Sequence, residues 1–165
     1  MSDVADVFRR LTMGVYVVGV AHREQRDAFT AAWLTQVSFD PLLLALSINT
    51  ANASYALLRA GGRFAISVLA RGQLDLARHF GTTSGRERDK LAGVRWHAGY
   101  GGAPILDDAL AYLECERVSG VPAGDHELVL ARVVGARVLS PDAAPLAYAD
   151  TGDMDGSRSL YPEKL

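Results

Sequence analysis

One cysteine, Cys115, occurs in the 165 residues, so no disulfide can form within the chain. Neither sign of charge dominates. Seventeen Lys and Arg against nineteen Asp and Glu leave a net charge of −2 and a pI of about 6.1. No basic stripe is present to attract nucleic acid or an anionic membrane surface, so neither is expected as a partner. Long hydrophobic runs are missing too: the longest, residues 42–48, contains Ser47 and is far too short to span a bilayer. The first six residues are acidic and lack the charged-then-apolar order of a signal peptide. A soluble cytoplasmic protein fits these features.

The common chemical motifs are also absent. His22, His79, His97 and His126 are scattered without metal-ligand spacing, so no metal is expected. No Gly-x-Ser-x-Gly elbow points to a hydrolase. No Gly-x-x-x-x-Gly-Lys loop occurs, and residues 14–19 lack the Gly-x-Gly-x-x-Gly pattern. A nucleotide bound here is therefore held without the usual α/β device. No internal repeat, linker or low-complexity segment divides the chain. With 49% hydrophobic residues, one domain over residues 1–165 is expected.

What is present is mostly strand. Val4, Val7, Phe8 and Leu11 share one face of an opening helix, with Ser2 or Asp3 as its cap and Gly14 at its end. The run 15–20 is β-branched, and the polar turn 23–26 returns it as a hairpin into the strand that carries Thr30. Phe29, Val37 and Phe39 suit a buried strand broken by Asp40-Pro41, and 42–48 predicts a third strand buried on both faces. Short helices are predicted over 52–60 and 73–80, a strand over 64–69, and two long strands over about 109–121 and 127–139. Strands that follow one another through hairpins argue for an antiparallel sheet, and a sheet of this size tends to close into a barrel to hide its edges. The expected fold is therefore mainly β, an antiparallel barrel with short peripheral helices.

Three places carry chemistry. Thr30-Ala31-Ala32 is a nearly naked piece of strand, where either another backbone packs closely or a planar, hydrogen-bonding ligand approaches. The loop Ser47-Ile48-Asn49-Thr50-Ala51-Asn52-Ala53-Ser54-Tyr55 gathers small polar residues at a helix start. It reads either as plain capping or as an anion site built from backbone amides with Asn52 and Ser54. Gly124-Asp125-His126 reads either as a turn launching a strand or as a functional histidine. Trp33 is core, a ring flank or an interface contact. Cys115 alternates with Ala111 and Leu113 on one strand face and reads as structural, since no nearby cation would activate its thiol.

Three stretches, in order, are similar to one family. Thr30-Ala31-Ala32-Trp33 followed by Val37-Ser38-Phe39-Asp40-Pro41-Leu42 resembles the flavin-contacting strand of the flavin reductase-like family, the FMN-binding split barrel. Gly62-Arg63-Phe64-Ala65-Ile66-Ser67-Val68-Leu69 with Gln73, Ala77 and Phe80 resembles its central strand and the following helix. Leu113-Glu114-Cys115 with Gly124-Asp125-His126 resembles its late strand pair. The similarity runs from about Phe8 to Tyr148.

The resemblance implies a split β-barrel, a homodimer with flavin near the interface, and an FMN-dependent NAD(P)H:flavin oxidoreductase. FMN, or alternatively FAD, is the implied flavin, NADH or NADPH the co-substrate, and an oxygenase or other electron acceptor the partner. A flavoredoxin-type electron carrier and a non-enzymatic FMN-storage module are the alternatives. It implies cofactor contacts from Thr30, Ala31, Ala32, Trp33, Ser47, Asn49, Asn52, Ala53, Ser54, Phe80 and Lys90, with His126 at the mouth of the site as the catalytic residue. The family's phosphate loop often carries an arginine. Here it reads Ala51-Asn52-Ala53-Ser54, so the positive charge falls to Lys90, Arg86 or Arg78, with Lys90 favoured. The stretch after Pro145-Leu146-Ala147-Tyr148 departs from the family pattern and either covers the site or reaches a partner subunit.

Overall fold

A computed structural model of the protein describes residues 3–163 and 165. Helix α1 (Val4–Phe8) is capped by Asp3, whose carboxylate accepts a hydrogen bond from the Ala5 amide at 3.3 Å. The β-branched run that follows forms β1 (Tyr16–His22), which pairs with β2 (Gln25–Ala31) through a tight turn. Next come β3 (Leu34–Ser38), β4 (Leu43–Asn49), α2 (Tyr55–Gly61), β5 (Arg63–Val68) and α3 (Leu74–Thr82). A small hairpin, β6 (Trp96–Ala98) and β7 (Pro104–Leu106), precedes the long pair β8 (Ala111–Ala123) and β9 (His126–Val138).

Seven strands form one sheet in the order β2-β1-β5-β8-β9-β4-β3, and every pairing is antiparallel. Its two edge strands, β2 and β3, are consecutive in the chain and separated by only Ala32 and Trp33. Laid flat, seven strands at about 4.8 Å spacing would put those edges about 29 Å apart. Two residues bridge at most about 11 Å. The sheet must therefore curl until its edges meet, and it does so as an antiparallel split β-barrel, as expected. The Ser47 amide donates to the Trp33 carbonyl at 3.0 Å, which ties the crossing to β4.

Strand alternation sorts the side chains into two apolar layers. Val18, Val20, Phe29, Leu46, Ile48, Phe64, Ile66 and Val129 fill the barrel. Val15, Val17, Ala28, Leu69, Ala77 and Phe80 pack between the outer face of β1 and β2 and helix α3. The β6–β7 hairpin lies directly on β1: a Cβ at Gly19 would sit 2.0 Å from the Pro104 carbonyl oxygen, so only glycine permits that approach.

Several expectations need correction. The predicted strand through Phe39 is two strands, and Val37 and Phe39 are 49% and 88% exposed rather than buried, because Val37 is on the edge strand β3 and Phe39 in the turn that follows it. The opening helix stops at Phe8, well short of Gly14. A five-residue helix buries only Ala5, and leaves Val7, Phe8 and Leu11 exposed. Helix α2 begins at Tyr55 instead of Asn52, because the Asn49 and Asn52 side chains hold the preceding loop in turns: each Oδ1 accepts a backbone amide two residues on, both at 2.8 Å. Helix α3 runs through Gly81 to Thr82 instead of ending at Phe80.

Cys115 sits inside the barrel, 1% exposed, as its alternation predicted. Burial, with the nearby Glu114 charge, pushes its thiol up to about 12. The native protein should accordingly fail to react with Ellman's reagent at pH 8 and release one thiol equivalent in guanidinium chloride. Rapid native reaction would place Cys115 outside the core.

Candidate functional site

Side chains shrink where β2 hands over to β3, and a cleft of about 700 Å³ opens on the outer side of that crossing. Thr30, Ala31, Ala32 and Trp33 line it from the crossing, Ser47 and Asn49 from β4, Asn52 from the next loop, and His126 from the start of β9. Eight of the residues singled out by sequence thus meet in one place. The alternation of β4 explains part of this: Leu44, Leu46 and Ile48 point into the barrel, which turns Ser47 and Asn49 outward. Asn49 lies directly across from His126 in the β4–β9 ladder, so both share that outer face.

A second cleft of about 610 Å³ adjoins the first, and Phe29, Thr30 and Asn52 line both. Ala51, Ala53, the end of α3 from Phe80, the loop Thr83-Ser84-Gly85-Arg86, and Lys90 make its other walls. The first cleft has an apolar floor with polar edges; the second is lined largely by small polar residues, with two cations.

Trp33 is neither core nor sealed off. It is about half exposed and stacks on His126, ring centroids 4.8 Å apart at 38°. His126 Nδ1 lies 2.7 Å from Asp125 Oδ1. That hydrogen bond, with the imidazole's charge second, holds the Asp125 carboxyl below its ordinary range. With Nδ1 so engaged, Nε2 is the ring nitrogen left for a ligand. The next residue, Glu127, takes the opposite face. Arg117 Nη2 donates to it at 2.9 Å and the Tyr55 hydroxyl donates to its other oxygen, anchoring the start of β9. Burial raises the Glu127 pKa, but these two hydrogen bonds outweigh it and leave the carboxyl below its ordinary value.

Other sequence-predicted residues hold different posts. The Thr30 hydroxyl donates to the Ala77 carbonyl at 2.7 Å, so its proton ties β2 to α3 instead of gripping a ligand. Ser54 lines neither cleft: it is fully buried, and its hydroxyl donates to Asp27 Oδ2 at 2.7 Å. Its expected cofactor contact is replaced by a structural one. The Phe80 ring is buried in the layer beneath α3 and borders only the second cleft. Lys90 does border that cleft, yet it is 3% exposed and its Nζ lies 3.5 Å from Asp27 Oδ1. Burial lowers the Lys90 pKa, and Asp27 works against that shift. Arg86 is exposed on the same wall, its Nη1 3.3 Å from the Ala51 carbonyl. Arg78 pairs with Asp75 on α3 and lines neither cleft.

The tail supplies residues that sequence reasoning left unassigned. Tyr148, Asp155, Ser157 and Leu160 line the first cleft. The Tyr148 hydroxyl lies 3.1 Å from Asp155 Oδ2 and 2.9 Å from Ser157 Oγ, and burial raises its pKa, so it stays a phenol. Two arginines strap this tail to the N-terminus: Arg9 bonds Asp153 at 3.0 Å and the Gly152 carbonyl, and Arg158 bonds Asp3 at 3.0 Å and Asp6 at 2.9 Å. The apolar Pro145-Leu146-Ala147-Tyr148 run was the available signal, since isolated bridges from Pro145 to Ala70 and from Ala147 to Gly14 set Tyr148 beside the crossing.

Comparison with known proteins agrees with this architecture. The family model described as "Flavin reductase like domain" matches residues 8–157. The chain belongs to the flavin reductase-like domain family. An NADH:FAD oxidoreductase of Streptomyces globisporus superposes with a TM-score of 0.83 at 31% identity, covering 90% of this chain and 88% of that one. An FMN-binding protein from Thermus thermophilus gives 0.73 at 36% identity, over 78% and 73% of the two chains. Among curated proteins, a high molecular weight rubredoxin of Moorella thermoacetica is 39% identical over 84% of this chain and 61% of its own length. A putative diflavin flavoprotein of Nostoc sp. is 36% identical over 86% of this chain but only 25% of its own. This flavin reductase-like chain therefore spans about a quarter to three-fifths of those two longer relatives.

The donor set suits a flavin mononucleotide. Small side chains leave room for a planar ring along 30–32, and a polar end with two cations adjoins it. That polar end depends on a close fit: a Cβ at Gly85 would stand 2.4 Å from Asp27 Oδ2, which Ser54 holds while Lys90 pairs with Oδ1. Gly85→Ala should therefore cost about 1–3 kcal/mol and lower the thermal midpoint by several degrees. An unchanged melt would mean the 83–86 loop is not seated on Asp27.

Proposed function

We propose that the protein is an FMN-dependent NAD(P)H:flavin oxidoreductase acting as one unit over residues 1–165, with FAD as the alternative flavin. The carrying observation is the continuous cleft that runs from the bare crossing Thr30-Ala31-Ala32 to the polar loops around Asn52 and Ser84-Gly85-Arg86. Support comes from the oxidoreductase of Streptomyces globisporus, also described with NAD and FAD fragments in a structure that covers 90% of this chain at 32% identity. When bound, the flavin supplies the redox chemistry, taking a hydride from NAD(P)H and a proton from water and later giving two electrons to an acceptor. The chain's own task is placement. Ala31 and Ala32 leave the ring its space, and Asn52, Ala53, Arg86 and Lys90 face the phosphate. Trp33 with His126 borders the side from which a nicotinamide approaches.

The acceptor in this reading is an oxygenase or another electron-accepting protein in the cytoplasm, where a single unpaired thiol is at home. The names of the longer relatives, a rubredoxin and diflavin flavoproteins, favour a second reading, an FMN electron carrier joined to other redox partners. Both readings include a homodimer. An apolar groove lined by Phe8, Leu11, Trp33, Leu34, Ala45 and Leu128 adjoins the cleft through Ala32, Trp33 and Ser47, and a second copy of the chain would cover it.

Anaerobic stopped flow separates the readings. FMN-loaded protein mixed with NADH or NADPH should bleach, and His126→Ala should slow that reduction up to roughly 100-fold while changing FMN affinity little, because a misplaced donor loses alignment. Dithionite reduction should be unaffected. Failure of both nucleotides to reduce the flavin removes the reductase reading in favour of the carrier. The dimer is checked by light scattering at micromolar concentration, where a stable mass near 17.7 kDa would contradict it.

A further inference from the structure

The second cleft, proposed above to receive a phosphate, has a carboxylate buried directly behind it. Asp27 is 8% exposed, and its oxygens are shared among separate segments of that cleft. Oδ2 accepts from Ser54 Oγ at 2.7 Å, and Oδ1 lies 3.5 Å from Lys90 Nζ and accepts from the Ala28 amide at 2.8 Å. Gly85 packs against the same group with no room for a methyl. An acid beside an anion site opposes binding by its charge alone, so its place there calls for a compensating role.

We infer that Asp27 is a positioning residue for phosphate recognition: it keeps the buried Lys90 ammonium charged and aimed at the cleft while pinning the 51–54 and 83–86 loops around it. The inference rests on the flavin-phosphate reading. A lysine this buried tends to shed its proton unless an anion holds it. Among the described residues Asp27 is the carboxylate within ion-pair distance of Lys90. The other titratable groups on packed elements are elsewhere engaged or carry no opposite charge. His79 of α3 meets the Lys90 carbonyl at 2.7 Å, and Arg86 bonds Ala51. Asp89 accepts the Leu91 amide, Arg88 bonds Thr83, and Arg26 of β2 reaches the Gly102 carbonyl. Glu87 is an exposed residue of the same loop. Ser54 takes no part in capping α2 with its side chain, which leaves its hydroxyl free for Asp27. The charge of Asp27 thus reaches a ligand only through Lys90 and through loop geometry.

Fluorescence titrations with FMN and with riboflavin, between pH 7 and pH 9, test this. Wild type should bind FMN more tightly than riboflavin with little change across the window. Asp27→Asn should lose roughly tenfold to a hundredfold in FMN affinity at pH 9, recover part of it at pH 7, and bind riboflavin as before. The sign follows from Lys90: without the Asp27 charge its pKa falls further, so raising the pH empties the site of its cation. Lys90→Met should lose FMN affinity without the pH dependence. In the Lys90→Met background, which no longer buries an ammonium, Asp27→Asn should cost less than about twofold more. If Asp27→Asn does not fold, full FMN affinity in Lys90→Met overturns the inference by itself. FMN selectivity that survives in Asp27→Asn at every pH overturns the inference and leaves the flavin reading intact. Wild type that fails to distinguish FMN from riboflavin overturns the phosphate reading, and the inference with it.

Discussion

Everything in this molecule follows from the short distance between the two edges of its sheet. Because β2 passes into β3 through Ala32 and Trp33 alone, a seven-stranded sheet cannot stay open. Closure packs Val18, Phe29, Leu46, Phe64 and Val129 inside. It also leaves one seam where the backbone turns from one partner strand to another. Ala31 and Ala32 put little side chain there, the Trp33 ring turns aside onto His126, and the space left between is the cleft. The same geometry that hides the sheet's edges produces the site.

Around that seam, polar groups are arranged in depth. The outer shell faces the cleft: Asn49, Asn52, His126 and the exposed Arg86. Behind it lie two buried carboxylates, Asp27 and Glu127, each paired with a cation and a hydroxyl. Buried ions are costly to desolvate, and pairs of this kind serve specificity of arrangement more readily than stability. Here each one fixes the start or end of an element that lines the cleft: Asp27 the loops before α2 and after α3, Glu127 the first turn of β9. The apolar barrel supplies rigidity, and these pairs set where its polar fringe points.

The sequence disclosed the parts of this arrangement that are local. Alternation in 111–115 marked Cys115 as inward-facing, whereas the apolar run 42–48 read as buried on both faces and hid the outward turn of Ser47 toward the cleft. The motifs at 30–33, 47–52 and 126 were visible as clusters of small or polar residues, and the barrel brought them together. The break at Ala32-Trp33 was not visible, since a change of strand partner needs no change in β-propensity. For the same reason Val37 and Phe39 read as core when they lie on an uncovered edge strand and in the turn after it. Ser54 was legible as polar and near the site, but whether its hydroxyl points at a ligand or at Asp27 depends on a strand that pairs far away in sequence. The tail was hidden most completely: Arg9 and Gly152 are 143 residues apart, and nothing in either neighbourhood announces the contact.

The half-exposed indole at the seam gives the molecule an optical property of its own. The chain has two tryptophans, and Trp96 lies in the β6–β7 hairpin, away from both clefts, beneath the Arg26 guanidinium. Trp33, against His126, borders the first cleft. Ultraviolet emission from this protein therefore carries one indole signal from the seam, beside an imidazole, and one from the hairpin, beside a guanidinium. Through Trp33 the chain's native light reports on the seam without a label.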